Sequence, residues 1–273
     1  MKRFLINVMH DILGVGAMII VMFTILIRSI RTSFIKLFLV LIGVSVMISS
    51  CIPEWNLVVG EGETVRETVP VNDGFTAIEL QSYADVIIEK GVDFKVEISD
   101  YENLIDYMDV RVSNGKLIIK TSPAYVSVAN SDATVRVTMP DTLNSILLSG
   151  SGDVEVNDAF NKLQILKISG SGDIELESDA QYEHLQATIS GSGKISGSGT
   201  AVELETLISG SGYIRFEELT AKSAQCTISG SGNTYVSVVI NLGANISGSG
   251  SVIYYGNPSI DSSVTGSGRI RKG

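Results

Sequence analysis

A six-residue phrase, Ser-Gly-Ser-Gly followed by a variable residue and usually an aliphatic one, recurs along the C-terminal half of the chain. Its copies are spaced 20, 21, 19, 20, 18 and 18 residues apart and begin at Ser149, Ser169, Ser190, Ser209, Ser229, Ser247 and, with a leading threonine, Thr265. A short unit repeated with a period near 20 residues is typical of a solenoid, in which each repeat forms one coil. We therefore expect an all-β fold, a parallel β-helix with about 18–21 residues per coil.

Aliphatic side chains around the repeat fall into columns. One column directly precedes each copy: Leu148, Ile168, Ile189, Ile208, Ile228, Ile246 and Val264. A second occupies the sixth position: Val154, Ile174, Ile195, Ile214, Thr234, Val252 and Ile270. A third, in phase with them, lies three residues before each copy: Ile146, Leu166, Ala187, Thr206, Cys226, Ala244 and Ser262. Because strand side chains alternate between two faces and coils stack ~4.8 Å apart, these columns predict a continuous inward-facing core.

The two glycines of each copy are assigned a structural role, at the corners of the coils. A coil has to turn sharply between flat strands, and glycine permits a positive φ and a close approach of neighbouring backbones. This interpretation is favoured over a ligand-binding loop. The corner glycines are Gly150, Gly152, Gly170, Gly172, Gly191, Gly193, Gly210, Gly212, Gly230, Gly232, Gly248, Gly250, Gly266 and Gly268.

The fifth position of the phrase is chemically variable, as expected of a column that faces solvent. Its residues are Asp153, Asp173, Lys194, Tyr213, Asn233, Ser251 and Arg269. The later coils carry five tyrosines: Tyr182, Tyr213, Tyr235, Tyr254 and Tyr255. Packing at the coil corners is the favoured interpretation, and stacking of exposed tyrosines on sugar rings or on a protein partner is the alternative. The candidate binding residues are therefore Tyr213, Tyr235, Asp153 and Asp173.

Residues 75–140 contain short alternating strands without the repeat. Asn114-Gly115 between two β-rich runs predicts a hairpin, and only residues 101–108 resemble a helical turn. We expect an N-terminal β region over 75–140, stacked on the repeat β-helix over 141–273.

The N-terminal 50 residues predict an export signal. An apolar run over residues 37–48 follows Arg28, Arg31 and Lys36 and is followed by Ser49-Ser50-Cys51. This arrangement resembles a bacterial lipoprotein signal, which implies cleavage before Cys51 and lipidation of its thiol; a transmembrane anchor is the alternative. An earlier apolar run over 12–27 is explained by a true start at Met22, or otherwise by an extra membrane helix. Residues 51–74, rich in glycine, proline and charge, are interpreted as a tether.

Composition limits the partners. The net charge is −10, and from Cys51 onward there are 15 basic and 29 acidic residues. This acidity argues against nucleic acid as a partner. The sequence has two cysteines, and assigning Cys51 to lipid leaves Cys226 without a disulfide partner.

Catalytic and metal sites are not expected. Asp153, Asp173, Glu155 and Glu175 offer too few ligands for a calcium site, and the period of about 20 differs from that of calcium-binding β-rolls. His184 stands alone, and Cys226 falls in an inward column. We predict no metal, no cofactor and no catalytic residue.

Several stretches together resemble one family. The stretches are Phe75-Thr-Ala-Ile-Glu-Leu, Asp85-Val-Ile-Ile, Asn114-Gly-Lys-Leu and Ile146-Leu-Leu-Ser-Gly-Ser-Gly-Asp-Val. Together with the serial repeat, they resemble the GIN-domain family of auto-transporter adhesin head domains, which is common in Bacteroidetes lipoproteins. The resemblance spans residues 69–273 and implies a single-stranded right-handed parallel β-helix. It supplies no catalytic residues.

The resulting expectation is an exported, lipid-anchored outer-membrane or cell-surface protein that binds a glycan or protein without catalysis. One alternative is a carbohydrate-active lyase or glycosidase that uses surface carboxylates. A second is a structural envelope protein that self-associates into a homo-oligomer.

Overall fold

A computed structural model describes residues 56–71, 74–124 and 126–273. The predicted export signal, the alternative start Met22 and the lipidation site Cys51 lie outside these ranges. Asn56–Gly273 form one compact unit. Within the described ranges, no helix has the length and apolarity required to cross a membrane.

The described residues are almost entirely β-structure. The strands are β1 (Asn56–Val59), β2 (Thr64–Val69), β3 (Ala77–Gln81), β4 (Asp85–Lys90), β5 (Lys95–Tyr101), β6 (Met108–Ser113), β7 (Lys116–Thr121), β8 (Val126–Ala129), β9 (Thr134–Met139), β10 (Ser145–Leu148), β11 (Val154–Val156), β12 (Ile165–Ile168), β13 (Ile174–Ile189), β14 (Lys194–Ile208), β15 (Tyr213–Ile228), β16 (Asn233–Ile246), β17 (Ser251–Tyr255), β18 (Ser259–Val264) and β19 (Arg269–Lys272). One short helix, α1 (Glu102–Ile105), follows β5. The predicted all-β solenoid is confirmed, with about six turns; its right-handedness stays a prediction.

The coils stack through parallel ladders. The first ladder consists of the strands that lead into each corner: β7, β3, β10, β12, the C-terminal parts of β13 to β16, and β18. The second ladder consists of the strands that leave each corner: β9, β4, β11, the N-terminal parts of β13 to β16, β17 and β19. A shorter third ladder joins residues 180–182, 199–201 and 219–221.

The aliphatic columns predicted to point inward form the core of the solenoid. Ile146, in the first ladder, pairs with Ile78 on one side and Leu166 on the other. Val154, in the second, pairs with Val86 and Ile174. All of these side chains are buried. The last coil differs, because no described strand stacks on its far side: Val264 is 43% exposed.

The N-terminal strands join the same stack. β3 and β4 form a coil whose corner is residues 82–84, and β7 and β9 form the coil beside it. The hairpin expected at Asn114-Gly115 joins β6 to β7, and both residues have positive φ. Buried Asp100 ties this region together, because its carboxylate accepts hydrogen bonds from the backbone N–H groups of Tyr101 and Asp132 and from the Ser131 hydroxyl.

The structure places two paired strands inside the predicted tether. β1 pairs in parallel with β8, and β2 pairs antiparallel with β5. The inward side chains Val65 and Val69 of β2 pack against the core. The sequence indicated β2 only weakly, because its two inward apolar residues lie within a charged stretch. Its pairing partner, β5, lies about 30 residues further along the chain.

The corner glycines are explained by close approach of backbones. A Cβ built on Gly230 would lie 1.9 Å from the carbonyl oxygen of Gly210 in the preceding coil. The expectation of a positive φ at these glycines is wrong. In the described part of the chain, the glycines with positive φ are Gly62, Gly115, Gly199 and Gly256, none of which belongs to the corner set.

Candidate functional site

The outward side chains of the second ladder form a continuous polar surface, here called the second-ladder face. One column contains the fifth-position residues Asp153, Asp173, Lys194, Tyr213, Asn233, Ser251 and Arg269, preceded by Asp85. The adjacent column contains Ile87, Glu155, Glu175, Ser196, Arg215, Tyr235 and Arg271, with the buried side chain of Ile253 between the last two. These columns follow directly from strand alternation, because the residues between them point into the core.

The aspartates of the first column have a structural role. One carboxylate oxygen of Asp153 accepts a hydrogen bond from the backbone N–H of Asp173 at 2.7 Å, and Asp173 accepts one from the N–H of Lys194 at 2.7 Å. The side-chain oxygen of Asn233 accepts one from Ser251 in the same way, at 2.8 Å. Each side chain thus satisfies a backbone donor at the start of the next coil, and a carboxylate keeps its other oxygen for solvent or a ligand.

An acidic groove of about 380 Å³ runs across the earlier coils of this face. Its charged lining is Asp85, Asp153, Glu155, Asp173, Glu175, Glu177 and Lys194. Desolvation, together with the neighbouring charges of Glu177 and Glu175, raises the pKa of the Glu155 carboxyl. The ammonium group of Lys194 is 3.8 Å from a carboxylate oxygen of Asp173 and 4.0 Å from one of Glu175, so it offsets part of the negative charge.

A second concavity of about 430 Å³ adjoins the groove, here called the Gly197 depression. Its lining is Glu175, Leu176, Glu177, Lys194, Ser196, Gly197, Ser198, Arg215, Glu217 and Glu218. Glu175, Glu177 and Lys194 line both concavities, which therefore adjoin.

The Gly197 depression is shaped by a Ser-Gly-Ser-Gly segment, residues 196–199, that lies out of phase with the corners. In register, Ser196 stands between Glu175 and Arg215, and Gly197 stands beside Leu176. A Cβ on Gly197 would lie 2.8 Å from the Cβ of Leu176. Small residues here, between coils with long side chains, leave the concavity.

Two polar atoms at the depression have hydrogen-bonding capacity that the described fold does not use. The guanidinium of Arg215 donates two hydrogen bonds to Oε1 of Glu217, at 3.0 and 2.7 Å, and lies over the Tyr235 ring at 5.3 Å. Oε2 of Glu217 and Oγ of Ser196 are buried and have no hydrogen-bond partner within the described residues.

The structure brings the candidate binding residues Asp153, Asp173, Tyr213 and Tyr235 to one face, with Tyr213 46% exposed. Tyr182 does not join them, because this side chain packs inward in the third ladder and is 4% exposed. Burial raises the pKa of its phenol well above the usual value.

Sequence reasoning missed Ser196, Arg215 and Glu217. The extra Ser-Gly-Ser-Gly segment at 196–199 was the available signal, since it breaks the spacing of the corners.

The outward side of the first ladder has fewer candidate functional groups. Nδ1 of His184 is 3.5 Å from a carboxylate oxygen of Glu203, beside a shallow depression at Gly243. Cys226 is buried, and burial raises the pKa of its thiol to about 11, which keeps it protonated near neutral pH. Residues 56–71, 74–124 and 126–273 contain no group of three or more His, Cys, Asp or Glu side chains arranged to hold a metal ion.

Known proteins share this architecture. Residues 74–258 match the model of a family described as putative auto-transporter adhesin, head GIN domain. A search of curated proteins finds no match.

Similar solved structures come from species of Parabacteroides and Bacteroides. A putative lipid binding protein from Parabacteroides distasonis is 24% identical, with a TM-score of 0.65, over 80% of this chain and 100% of that one. A putative adhesin from Bacteroides fragilis is 22% identical, with a TM-score of 0.71, over 79% of this chain and 99% of that one. A putative adhesin from Parabacteroides merdae is 23% identical, with a TM-score of 0.64, over 80% and 99%. At these identities the likeness concerns the fold.

Proposed function

The chain belongs to the putative auto-transporter adhesin, head GIN domain family, and we propose that it is a non-enzymatic, adhesin-like module that binds a glycan or a protein through its second-ladder face. The family supports an adhesin-like, surface-exposed protein. The ligand class and the face are our proposal.

The position of two adjoining concavities on one face supports this function most directly. The acidic groove and the Gly197 depression share Glu175, Glu177 and Lys194 and extend across several coils of one rigid ladder. A rigid surface with polar groups at regular spacing meets an extended ligand at several points without ordering loops first, which lowers the entropic cost of binding.

Glycan cleavage is the alternative, and Glu155 is the observation that favours it. A carboxyl with a raised pKa beside a second carboxylate, here Glu175 in the next coil, has the form of a glycosidase acid and its partner. Asp153 and Asp173 fit that role poorly, because each already accepts a backbone N–H. Binding without turnover therefore remains the better supported proposal.

Attachment to the envelope is proposed to occur through lipid on Cys51, followed by a short linker to the solenoid. Self-association of a structural envelope protein is the second alternative. It is supported by β18, all of whose residues are exposed, including Ile260 at 40%. Light scattering at high micromolar concentration tests it, and a strictly monomeric protein would remove its support.

The proposal is tested by applying the protein to arrays of glycans and immobilised extracellular proteins, with product analysis of each glycan that is retained. The face variant Glu175→Gln/Arg215→Ala is compared with Glu205→Gln/Lys167→Ala, which removes one negative and one positive charge on the outward side of the first ladder. We expect the face variant to lose at least about tenfold in affinity and the control to keep it. Equal losses in both variants, or cleavage of a retained glycan, would refute the proposal.

A further inference from the structure

We infer that the Gly197 depression is a subsite for one uncharged sugar ring. This inference rests on the proposed function and names the ligand class for one part of the second-ladder face. It follows from the shape of the depression, from its unpaired polar atoms and from its balance of charges.

The shape is that of a notch one coil wide. The coils on either side carry long side chains, Glu175 and Arg215, where the middle coil carries Ser196. The flanking strands are roughly 9.6 Å apart, twice the usual strand spacing. The volume of about 430 Å³ falls within the range of small-molecule sites.

The small residue at the outward position keeps the notch open. Ser196 occupies that position between Glu175 and Arg215. Gly197 lies in the inward column beside buried Leu176, where a Cβ would lie 2.8 Å from the Cβ of Leu176, so the core holds this position to glycine.

The polar atoms at the base of the notch lack partners. Oγ of Ser196 and Oε2 of Glu217 are buried without a hydrogen bond in the part of the chain that the structure describes. Arg215 is committed to the other oxygen of Glu217 and is held over Tyr235. A buried polar atom without a partner is costly, and a ligand hydroxyl, which both donates and accepts, would satisfy a serine and a carboxylate alike.

The charges favour an uncharged polyol. Glu175, Glu177, Glu217 and Glu218 would repel a uronic or sialic acid. Lys194 and Arg215 in the same lining already pair with Glu175 and Glu217, so an amino sugar meets a negative charge that is partly compensated. A neutral ring avoids the repulsion and uses the carboxylates as acceptors and the cations as donors for its hydroxyls.

Titration calorimetry on the full chain tests the inference with three classes of trisaccharide. The neutral probes are cellotriose, maltotriose and N,N′,N″-triacetylchitotriose; the acidic probe is trigalacturonic acid, and the basic probe is chitosan trimer. We expect at least one neutral probe to bind, and both charged probes to bind more weakly, the acidic one by at least about tenfold. Ser196→Ala and Glu217→Gln are each expected to weaken the neutral probe about tenfold.

Two matched variants serve as controls. Ser211→Ala alters an exposed corner serine, and Glu183→Gln alters an exposed glutamate outside both concavities; both should bind as wild type does. Because Ser196→Ala removes a buried hydroxyl that has no partner, its Tm should be unchanged or higher, which separates lost contact from lost fold.

Other outcomes separate this inference from the proposed function. Tighter binding of a charged probe, neutral binding unaffected by Ser196→Ala and Glu217→Gln, or no trisaccharide binding at all would overturn the sugar subsite. In each of those cases the proposed function would still hold if the chain binds an array ligand and the Glu175→Gln/Arg215→Ala variant loses that binding. If no array ligand depends on these two residues, both the proposed function and the sugar subsite would be overturned.

Discussion

At the scale of single residues, one buried threonine replaces an aliphatic residue in a core column. The sixth position is aliphatic in every copy except at Thr234, which is fully buried. Its hydroxyl has no hydrogen-bond partner within the described residues. A buried hydroxyl without a partner destabilises the folded state, since water satisfied it in the unfolded chain.

Thr234→Val is therefore expected to stabilise the protein. The gain should be about 1 kcal/mol, which corresponds to a Tm increase of roughly 2–4 °C for a chain of this size. Thermal denaturation followed by circular dichroism measures it. The control is the reverse substitution, Val252→Thr, in the next coil of the same column. It should lower the free energy of unfolding by about 1–3 kcal/mol. A destabilised Thr234→Val would contradict the account of the core.

The corner glycines show how far single residues can be predicted from sequence. The spacing located the corners and assigned them to architecture. It also anticipated the close approach of neighbouring backbones, as between Gly230 and Gly210, but it did not show that these glycines would lack a positive φ. Spacing along the chain reports where a turn occurs, whereas the direction of a Cα–H bond depends on how the coils stack.

At the scale of strands, each of the two ladders carries a carboxyl group with a shifted pKa, and the two shifts have opposite directions. On the second ladder, Glu155 has a raised pKa because of desolvation and the nearby charges of Glu177 and Glu175. On the first ladder, Glu79 in β3 has a lowered pKa, chiefly because its carboxylate bonds to Lys116 in β7. The usual value for both is 4.5.

This difference predicts opposite effects of neutralising the two residues. A raised pKa contributes stability that is present at low pH and lost as the pH rises through the folded-state value, so Glu155→Gln should be more stable than wild type at pH ~7. A lowered pKa contributes stability that is present above the unfolded-state value and lost as the pH falls, so Glu79→Gln should be less stable at pH ~7. Denaturation from pH ~3 to ~7 should show both differences shrinking below pH ~4.5. Equal signs for the two variants would contradict the assignment.

Strand order was predictable from the repeat, and irregular strands were not. Alternation and spacing predicted the first and second ladders, because each coil contributes the same residues. The third ladder was missed, and with it the inward position of Tyr182, because residues 180–182 pair with 199–201 across a shift in register. β1 and β2 were missed because their partners are distant in sequence and their side chains are mostly polar.

At the scale of the whole molecule, acidity is concentrated in one part of the solenoid. Residues 75–218 contain 23 acidic and 10 basic residues, whereas residues 219–273 contain 1 acidic and 4 basic residues. Both concavities lie in the acidic part. A ligand therefore meets a negative field as it approaches the second-ladder face, and binding of charged ligands should depend on ionic strength.

Lipid attachment is predicted at Cys51. Cells that express the protein should incorporate radiolabelled palmitate into it, and the protein should partition into the detergent phase of Triton X-114. Cys51→Ser should abolish both, because the thiol is the acceptor. Cys226→Ser is the control and should retain both, since Cys226 is buried in the core. Labelling that persists in Cys51→Ser would refute the lipoprotein assignment.

The central claim, that ligands bind on the second-ladder face, is tested most directly by amide hydrogen exchange with and without a ligand retained on the arrays. Slower exchange is expected in the second-ladder segments at 153–156, 173–177, 194–199 and 213–217, and unchanged exchange in the first-ladder segments at 165–168, 184–189 and 203–208. Protection confined to the first ladder, or to the corners themselves, would contradict the claim.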